Sequence, residues 1–136
     1  MNRRSFFRAW VLVFAMIGLA SVFAPDATAQ IGPPYDCTCD AIVVHGSKDL
    51  KCKVEFCVES PLGTKPNCYG VGPGSEFKIK CDKQFVMTVT DCKGITHKVT
   101  SDCKLCICVT RDCFVSFCLK QDDKGCWHLF VDPCTP

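Results

Sequence analysis

Cysteine is the residue type in this sequence that offers the most chemistry. Fourteen of the 136 residues are cysteine, and all of them lie after residue 36. Thiols can form disulfides, bind soft metal ions as thiolates or exchange electrons with other thiols. Cys103, Cys106, Cys108 and Cys113 include the two-residue spacing that thiolate metal sites use. Because disulfides are favoured in an exported chain, thiolate metal binding is kept only as a lesser alternative.

We therefore assign all the cysteines to a disulfide framework, and we leave its connectivity open because fourteen thiols can pair in very many ways. The assigned residues are Cys37, Cys39, Cys52, Cys57, Cys68, Cys81, Cys92, Cys103, Cys106, Cys108, Cys113, Cys118, Cys126 and Cys134. Cys37 and Cys39 point to the same side of an extended chain, so they need different partners. A turn at 111–113 would place Cys106 opposite Cys118, which predicts a cross-strand bridge between these two.

The three histidines form no recognisable catalytic motif. His45 is close to Ser47 and Asp49, but residues two apart in a tight turn do not make a catalytic triad by themselves. His97 alternates with threonine and lysine on a predicted strand, and His128 falls on the outward face of another. No Cys-x-x-Cys is followed by histidine, which excludes covalent haem. We expect no enzymatic activity, no cofactor and no metal.

The N-terminal residues have the order of an export signal. Three arginines lie among the first eight residues, an apolar run covers 9–24, and Ala-Thr-Ala follows at 27–29. This order predicts a signal peptide over residues 1–29, cleaved before Gln30. The paired arginines resemble a twin-arginine signal, but the general secretory route is favoured because disulfides do not persist in a reducing cytosol. Either route leads to the periplasm, the cell surface or the extracellular space.

The charge of the mature chain argues against two classes of partner. Removing the three leader arginines and Asp26 leaves 13 Lys and Arg against 13 Asp and Glu. A neutral domain with interspersed charges has no field to attract nucleic acid or anionic lipid. After cleavage no apolar run is long enough to cross a bilayer, so no membrane span is predicted in the mature chain.

The mature composition predicts strands and almost no helix. It contains one alanine against eleven valines and eight threonines, and β-branched residues favour pleated structure. Prolines and a glycine near its start predict an extended N-terminal arm over residues 30–40. Three prolines and four glycines over 59–75 predict a long surface loop tied down at Cys68.

Alternation of apolar and polar residues locates the strands. A first hairpin is predicted between 41–45 and 52–58. A second is predicted to pair Thr90 with Thr96 and Thr88 with Lys98 across a tight turn at Gly94.

A last hairpin is predicted to pair Leu119 with Trp127 and Phe117 with Leu129, and a further strand lies over 103–110. About eight short strands over residues 41–136 predict an all-β fold, a small disulfide-rich antiparallel β-sandwich of one domain.

Two functions fit this organisation. The first is an extracellular structural or surface protein that self-associates, in which the arm adds a strand to a neighbouring copy and forms intermolecular disulfides through Cys37 or Cys39. An arm that bridges back onto its own domain is an equal alternative. The second function is a monomeric secreted binding module, an inhibitor or effector, that contacts a protein partner through the 59–75 loop and its exposed Tyr69.

Overall fold

The computed structural model describes residues 34–60 and 65–136, which form ten β-strands and no helix. The strands are β1 Tyr35–Asp36, β2 Ala41–Gly46, β3 Val54–Glu59, β4 Asn67–Val71, β5 Glu76–Lys80, β6 Gln84–Thr90, β7 Thr96–Lys98, β8 Ile107–Thr110, β9 Cys113–Gln121 and β10 Trp127–Pro133. The predicted signal peptide, the first residues of the arm and residues 61–64 lie outside the described ranges.

The strands form two five-stranded sheets, as expected for a sandwich. The first sheet has the order β1-β6-β3-β4, with β7 also paired to β6, and the second has the order β5-β2-β10-β9-β8. Every strand pair is antiparallel except β2 with β10, which run parallel. The fold is therefore all-β and sandwich-like, with ten strands where about eight were expected and with one parallel pair in a framework expected to be antiparallel.

The predicted first hairpin does not form. β2 pairs with β5 and β10 in the second sheet, whereas β3 pairs with β4 and β6 in the first. The connection between them crosses from one sheet to the other and buries Leu50 in the core. Alternation correctly placed both strands, but it carries no information about which strand each one pairs with.

The two later hairpins follow the sequence more closely. Thr90 pairs with Thr96 and Thr88 with Lys98, as predicted. In the last hairpin Leu119 pairs with Leu129 rather than with Trp127, a shift of two residues that keeps the same side chains on the inner face. Gly94 and Gly125 both have positive φ, 79° and 81°, in the conformation that glycine adopts without strain.

The segment 59–75 is not a loop throughout, because Asn67–Val71 forms β4 beside β3. The disulfide between Cys57 and Cys68 joins directly opposite residues of this pair. The sequence analysis did not predict this strand because prolines and glycines surround its two large apolar residues, Tyr69 and Val71, and are typical of a loop.

The core lies between the inner faces of the two sheets. The ring centroids of Phe56 on β3 and Phe117 on β9 are 6.5 Å apart. The largest fully buried side chains come from both sheets: Phe56, Ile42, Met87, Leu119, Leu129, Val44, Val54, Val71, Val89, Val99, Val115 and Val131. Most are β-branched or leucine, which pack well on a pleated surface.

Candidate functional site

A groove of about 450 Å³ lies beside β4, an edge strand of the first sheet, and β5, an edge strand of the second. Aromatic and charged side chains share its lining: Tyr69, Phe85, Glu59, Lys65, Lys80 and Asp82. An edge strand presents unpaired backbone N–H and C=O groups, which can pair with another extended chain. The groove therefore combines apolar surface, charges of both signs and nearby open strand edges.

Tyr69 contributes to this groove but is not the exposed anchor that the sequence suggested. It is half-buried, with its ring centroid 5.8 Å from that of Phe56 and 6.4 Å from that of Phe77. Alternation along β4 turns the ring towards the core. Tyr69 thus forms part of a rigid wall, and the neighbouring disulfide between Cys57 and Cys68 holds that wall in place.

The described part of the N-terminal arm, residues 34–40, is bound to its own domain in this structure. Cys37 is bonded to Cys81 and Cys39 to Cys126, so both cysteines proposed for links between chains are paired within the chain. The strand β1 of the arm also pairs with β6 of the same chain. The indole of Trp127 also donates a 2.7 Å hydrogen bond to the carbonyl of Asp36.

Two β-turns, one in each sheet, share the same aspartate-to-histidine geometry. In the first, Asp91 accepts backbone N–H bonds from Lys93 and Ile95 through Oδ1, and its Oδ2 lies 2.7 Å from Nε2 of His97. The bond with His97 lowers the pKa of the Asp91 carboxyl and outweighs the opposite effect of burial.

The second turn repeats this arrangement. Asp122 accepts N–H bonds from Lys124 and Cys126 through Oδ1, and its Oδ2 lies 3.0 Å from Nε2 of His128. The bond with His128 is again the largest cause of a lowered pKa for the carboxyl. Each aspartate therefore closes its turn and fixes the orientation of one imidazole.

His128 continues into a row of polar side chains across the second sheet. Its Nδ1 lies 2.8 Å from Nε2 of His45 on the neighbouring strand β2, and Nδ1 of His45 lies 3.4 Å from a carboxylate oxygen of Glu76. The ring of Phe130 stacks on that of His45 at 4.8 Å, and Lys120 lies over Phe130.

This imidazole row has three contacts, which run from Glu76 to His45, from His45 to His128, and from His128 to Asp122. The last two are hydrogen bonds, and the first is a contact at ion-pair distance. The row therefore joins two imidazoles between two carboxyl groups on the second sheet.

His45, Ser47 and Asp49 do not form a catalytic triad in this structure. The ring of His45 contacts His128 and Glu76 instead. The hydroxyl of Ser47 accepts a 3.2 Å hydrogen bond from the backbone N–H of Asp49 and stabilises the turn.

Twelve of the fourteen cysteines are paired in six disulfides. The predicted bridge between Cys106 and Cys118 is wrong, because Cys118 is bonded to Cys103. Cys106 and Cys134 are left as thiols. Burial is the largest cause that raises the pKa of the Cys134 thiol to about 12, and the neighbouring Cys106 thiol acts in the same direction.

These pairings remove the thiolates that the lesser metal alternative needs. Cys103, Cys108 and Cys113 are bonded to three different partners. Glu55, Cys57 and Cys68 bring three ligand-type atoms together in the described part of the chain, but the two sulfurs are joined in a disulfide. A disulfide sulfur does not supply the thiolate that a soft metal ion requires.

Comparison with protein-family models, curated proteins and solved structures finds no match. The function of the chain therefore has to be inferred from its own geometry. Within residues 34–60 and 65–136, no helix is long and apolar enough to span a membrane. The abundance of disulfides indicates an oxidising, extracytoplasmic compartment.

The sequence did contain a signal, overlooked in its interpretation, for the two contacts between aspartate and histidine. The pattern Asp-x-Lys-Gly-x-x-His occurs at residues 91–97 and again at 122–128. This spacing places the aspartate that closes the turn opposite the histidine on the second strand of the hairpin. No comparable signal pairs His45 with His128, because the contact depends on β2 lying beside β10.

Proposed function

We propose that this protein is an exported binding module that acts as a single, internally crosslinked domain and has no catalytic activity. The pairing of both arm cysteines within the chain supports this proposal over assembly through the arm. Assembly would require Cys37 to leave Cys81, or Cys39 to leave Cys126, before it could bridge another copy. The six disulfides within the chain also suit a protein that must stay folded outside the cell.

We place the binding surface at the groove beside β4 and β5. The presence of this groove is the observation that supports the proposal most directly. Its occupant is an extended segment of a protein partner, which can pair with an open strand edge while its side chains enter the groove. The groove lining carries positive charges on Lys65 and Lys80 and negative charges on Glu59 and Asp82. A complementary segment therefore carries charges of both signs.

Two disulfides preorganise this surface. One joins Cys57 to Cys68 beside Tyr69, and the other joins Cys37 to Cys81, which itself lines the groove. A surface that is already ordered loses little conformational entropy on binding, and this favours affinity.

The proposal is tested by selecting short random peptides from a display library on the purified chain. Selected peptides are then measured against Lys65→Glu/Lys80→Glu, which reverses two groove charges, and against Lys93→Glu/Lys104→Glu, which makes the same charge change on exposed lysines outside the groove lining. We expect the groove variant to lose about tenfold or more in affinity because of like-charge contacts.

The control variant should bind the same peptides as the native chain. Peptides that bind both variants equally, or a library that yields no specific binder, would contradict the placement of the function in this groove. Thermal melts of both variants would show that any loss of binding does not come from unfolding.

A further inference from the structure

Two histidines from distant parts of the chain bring one ring nitrogen each to within 2.8 Å of the other on the second sheet. His45 lies on β2 and His128 on β10, and the parallel pairing of these strands makes the two side chains neighbours. Val44 precedes His45 and Leu129 follows His128, and both are fully buried, so alternation turns the two imidazoles to the outer face of the sheet. The histidine side chains are 28% and 24% exposed, so solvent can reach them.

A carboxyl group lies against the outer nitrogen of each ring, which is the nitrogen that faces away from the other histidine. Nδ1 of His45 lies 3.4 Å from Glu76, and Nε2 of His128 lies 3.0 Å from Asp122. A neutral imidazole carries one N–H proton, and a carboxylate at the outer nitrogen favours the tautomer with the proton there. The inner nitrogen then offers a lone pair. Histidines that bind metal ions are held in this way, with the second nitrogen against a carboxylate or carbonyl oxygen.

We propose that Nε2 of His45 and Nδ1 of His128 together bind one divalent transition-metal ion of the class that prefers imidazole, such as Zn²⁺. Imidazole nitrogen suits zinc, copper and nickel, whereas calcium and magnesium prefer oxygen ligands. The ion takes the place of the hydrogen bond between the two inner nitrogens. The neighbouring carboxylates of Glu76 and Asp122 offset its charge, and water fills its remaining coordination positions.

The geometry of the histidine pair is close to the one that a shared ion needs. Zinc–nitrogen distances of about 2.0–2.1 Å place two nitrogens of a tetrahedral site about 3.3 Å apart. The inner nitrogens of His45 and His128 are 2.8 Å apart, and the two ring planes differ by 12°. A tilt of the two rings that separates the nitrogens by about half an ångström therefore directs both lone pairs to one ion.

This site is separate from the groove of the proposed function. The groove lining includes neither histidine, and it includes neither Glu76 nor Asp122. Failure of peptide binding at the groove would therefore leave the metal proposal intact, and the reverse also holds.

His97 provides a matched control for the pair. Its Nε2 also contacts an aspartate, Asp91, at 2.7 Å. However, His97 lies on β7 in the first sheet, whereas His45 and His128 lie on the second sheet. His97 therefore shares the carboxylate contact but not the neighbouring imidazole.

The test is calorimetric titration of the purified, folded chain with Zn²⁺, after the free thiols have been blocked by alkylation so that they cannot bind the ion. We expect one Zn²⁺ per chain. His45→Gln and His128→Gln should each lower the affinity at least about tenfold, because loss of a partner behind a ligand already costs that much. His97→Gln should bind as the native chain does. No binding by the native chain, or the same affinity in all three variants, would overturn the proposal.

A second readout uses the native chain and does not depend on the folding of any variant. Nuclear magnetic resonance should show the ring signals of His45 and His128 shifting together as Zn²⁺ is added, while those of His97 stay in place. A shift confined to one histidine of the pair, or a shift at His97 instead, would contradict the shared site. Thermal melts without metal would establish that the three glutamine variants are folded.

Discussion

At the scale of single residues, two aspartates each stabilise a turn and also contact a histidine. Asp91 and Asp122 each accept two backbone N–H bonds through one oxygen and contact a histidine through the other. Binding by donors favours the charged carboxylate, and this is why the pKa of each is lowered. The ionised carboxylate is thus bound to the folded chain more strongly than the protonated form.

The lowered pKa of Asp91 makes part of the stability dependent on pH. Its stabilising contribution is fully present above the ordinary aspartate value of 3.8 and is lost as the pH falls through the lower pKa of the folded state. Asp91→Asn cannot ionise, so we expect the difference in free energy of unfolding between the native chain and this variant to shrink as the pH falls below about 3.8.

Denaturant unfolding curves between pH 6 and pH 2 measure this difference. Asp123→Asn provides the control, since it removes the same charge from an exposed aspartate in the β9–β10 turn. Parallel loss of stability in the native chain and Asp91→Asn across the acid range would show that the contact with His97 does not contribute.

At the scale of elements, the β6–β7 and β9–β10 turns determine which side chains meet across each hairpin. Each turn has an aspartate at its start and a glycine of positive φ three residues later, Gly94 or Gly125. A side chain at such a position meets the following carbonyl and costs about 1–2 kcal/mol. The turn chemistry therefore fixes the register, and the register places the histidine beside its aspartate.

Gly94→Ala tests this dependence, with Gly72→Ala as its matched control. A Cβ at either position would meet no atom within 4 Å, but only Gly94 has positive φ. We expect Gly94→Ala to lower the free energy of unfolding by about 1–2 kcal/mol relative to Gly72→Ala. Denaturant unfolding measures both variants, and equal stabilities would mean that the turn adopts another conformation at no cost.

At the scale of the whole molecule, disulfides supplement a small hydrophobic core. Each crosslink contributes about 2–4 kcal/mol in the chain-entropy account, and less where closed loops overlap as they do here. The bond between Cys52 and Cys113 connects the β2–β3 crossing to β9, and the bond between Cys92 and Cys108 connects the β6–β7 turn to β8. Crosslinks between the two sheets hold them together. Packing between short strands would by itself be a weak barrier to their separation.

A chain whose disulfides are all internal should have no covalent link to another copy. We expect the purified protein to migrate as a single chain on non-reducing denaturing gels. Reduction should change its mobility, but the band should still correspond to one chain. Intact mass with and without reduction should show at least six disulfides, each accounting for two hydrogens. Multimers that disappear on reduction would instead support assembly through the arm cysteines.

Much of the local structure follows from the sequence by itself. β-branched residues, the near absence of alanine and alternating side chains determine an all-β chain and the inner face of most strands. The glycine turns determine two hairpins, because they are closed by residues close together in the chain. The cysteine content determines that disulfides, rather than a large core, hold the domain together.

Only the tertiary structure decides which distant segments meet. The parallel pairing of β2 with β10 brings His45 to His128, and the disulfide between Cys52 and Cys113 joins the β2–β3 connection to β9. The alternation of apolar and polar residues indicates which face of the sheet a side chain occupies. The same alternation would be present whichever strand lay alongside, so it does not identify the neighbouring strand. The disulfide connectivity, the imidazole row and the groove beside β4 and β5 all depend on those long-range neighbours, so the sequence pattern alone could not specify them.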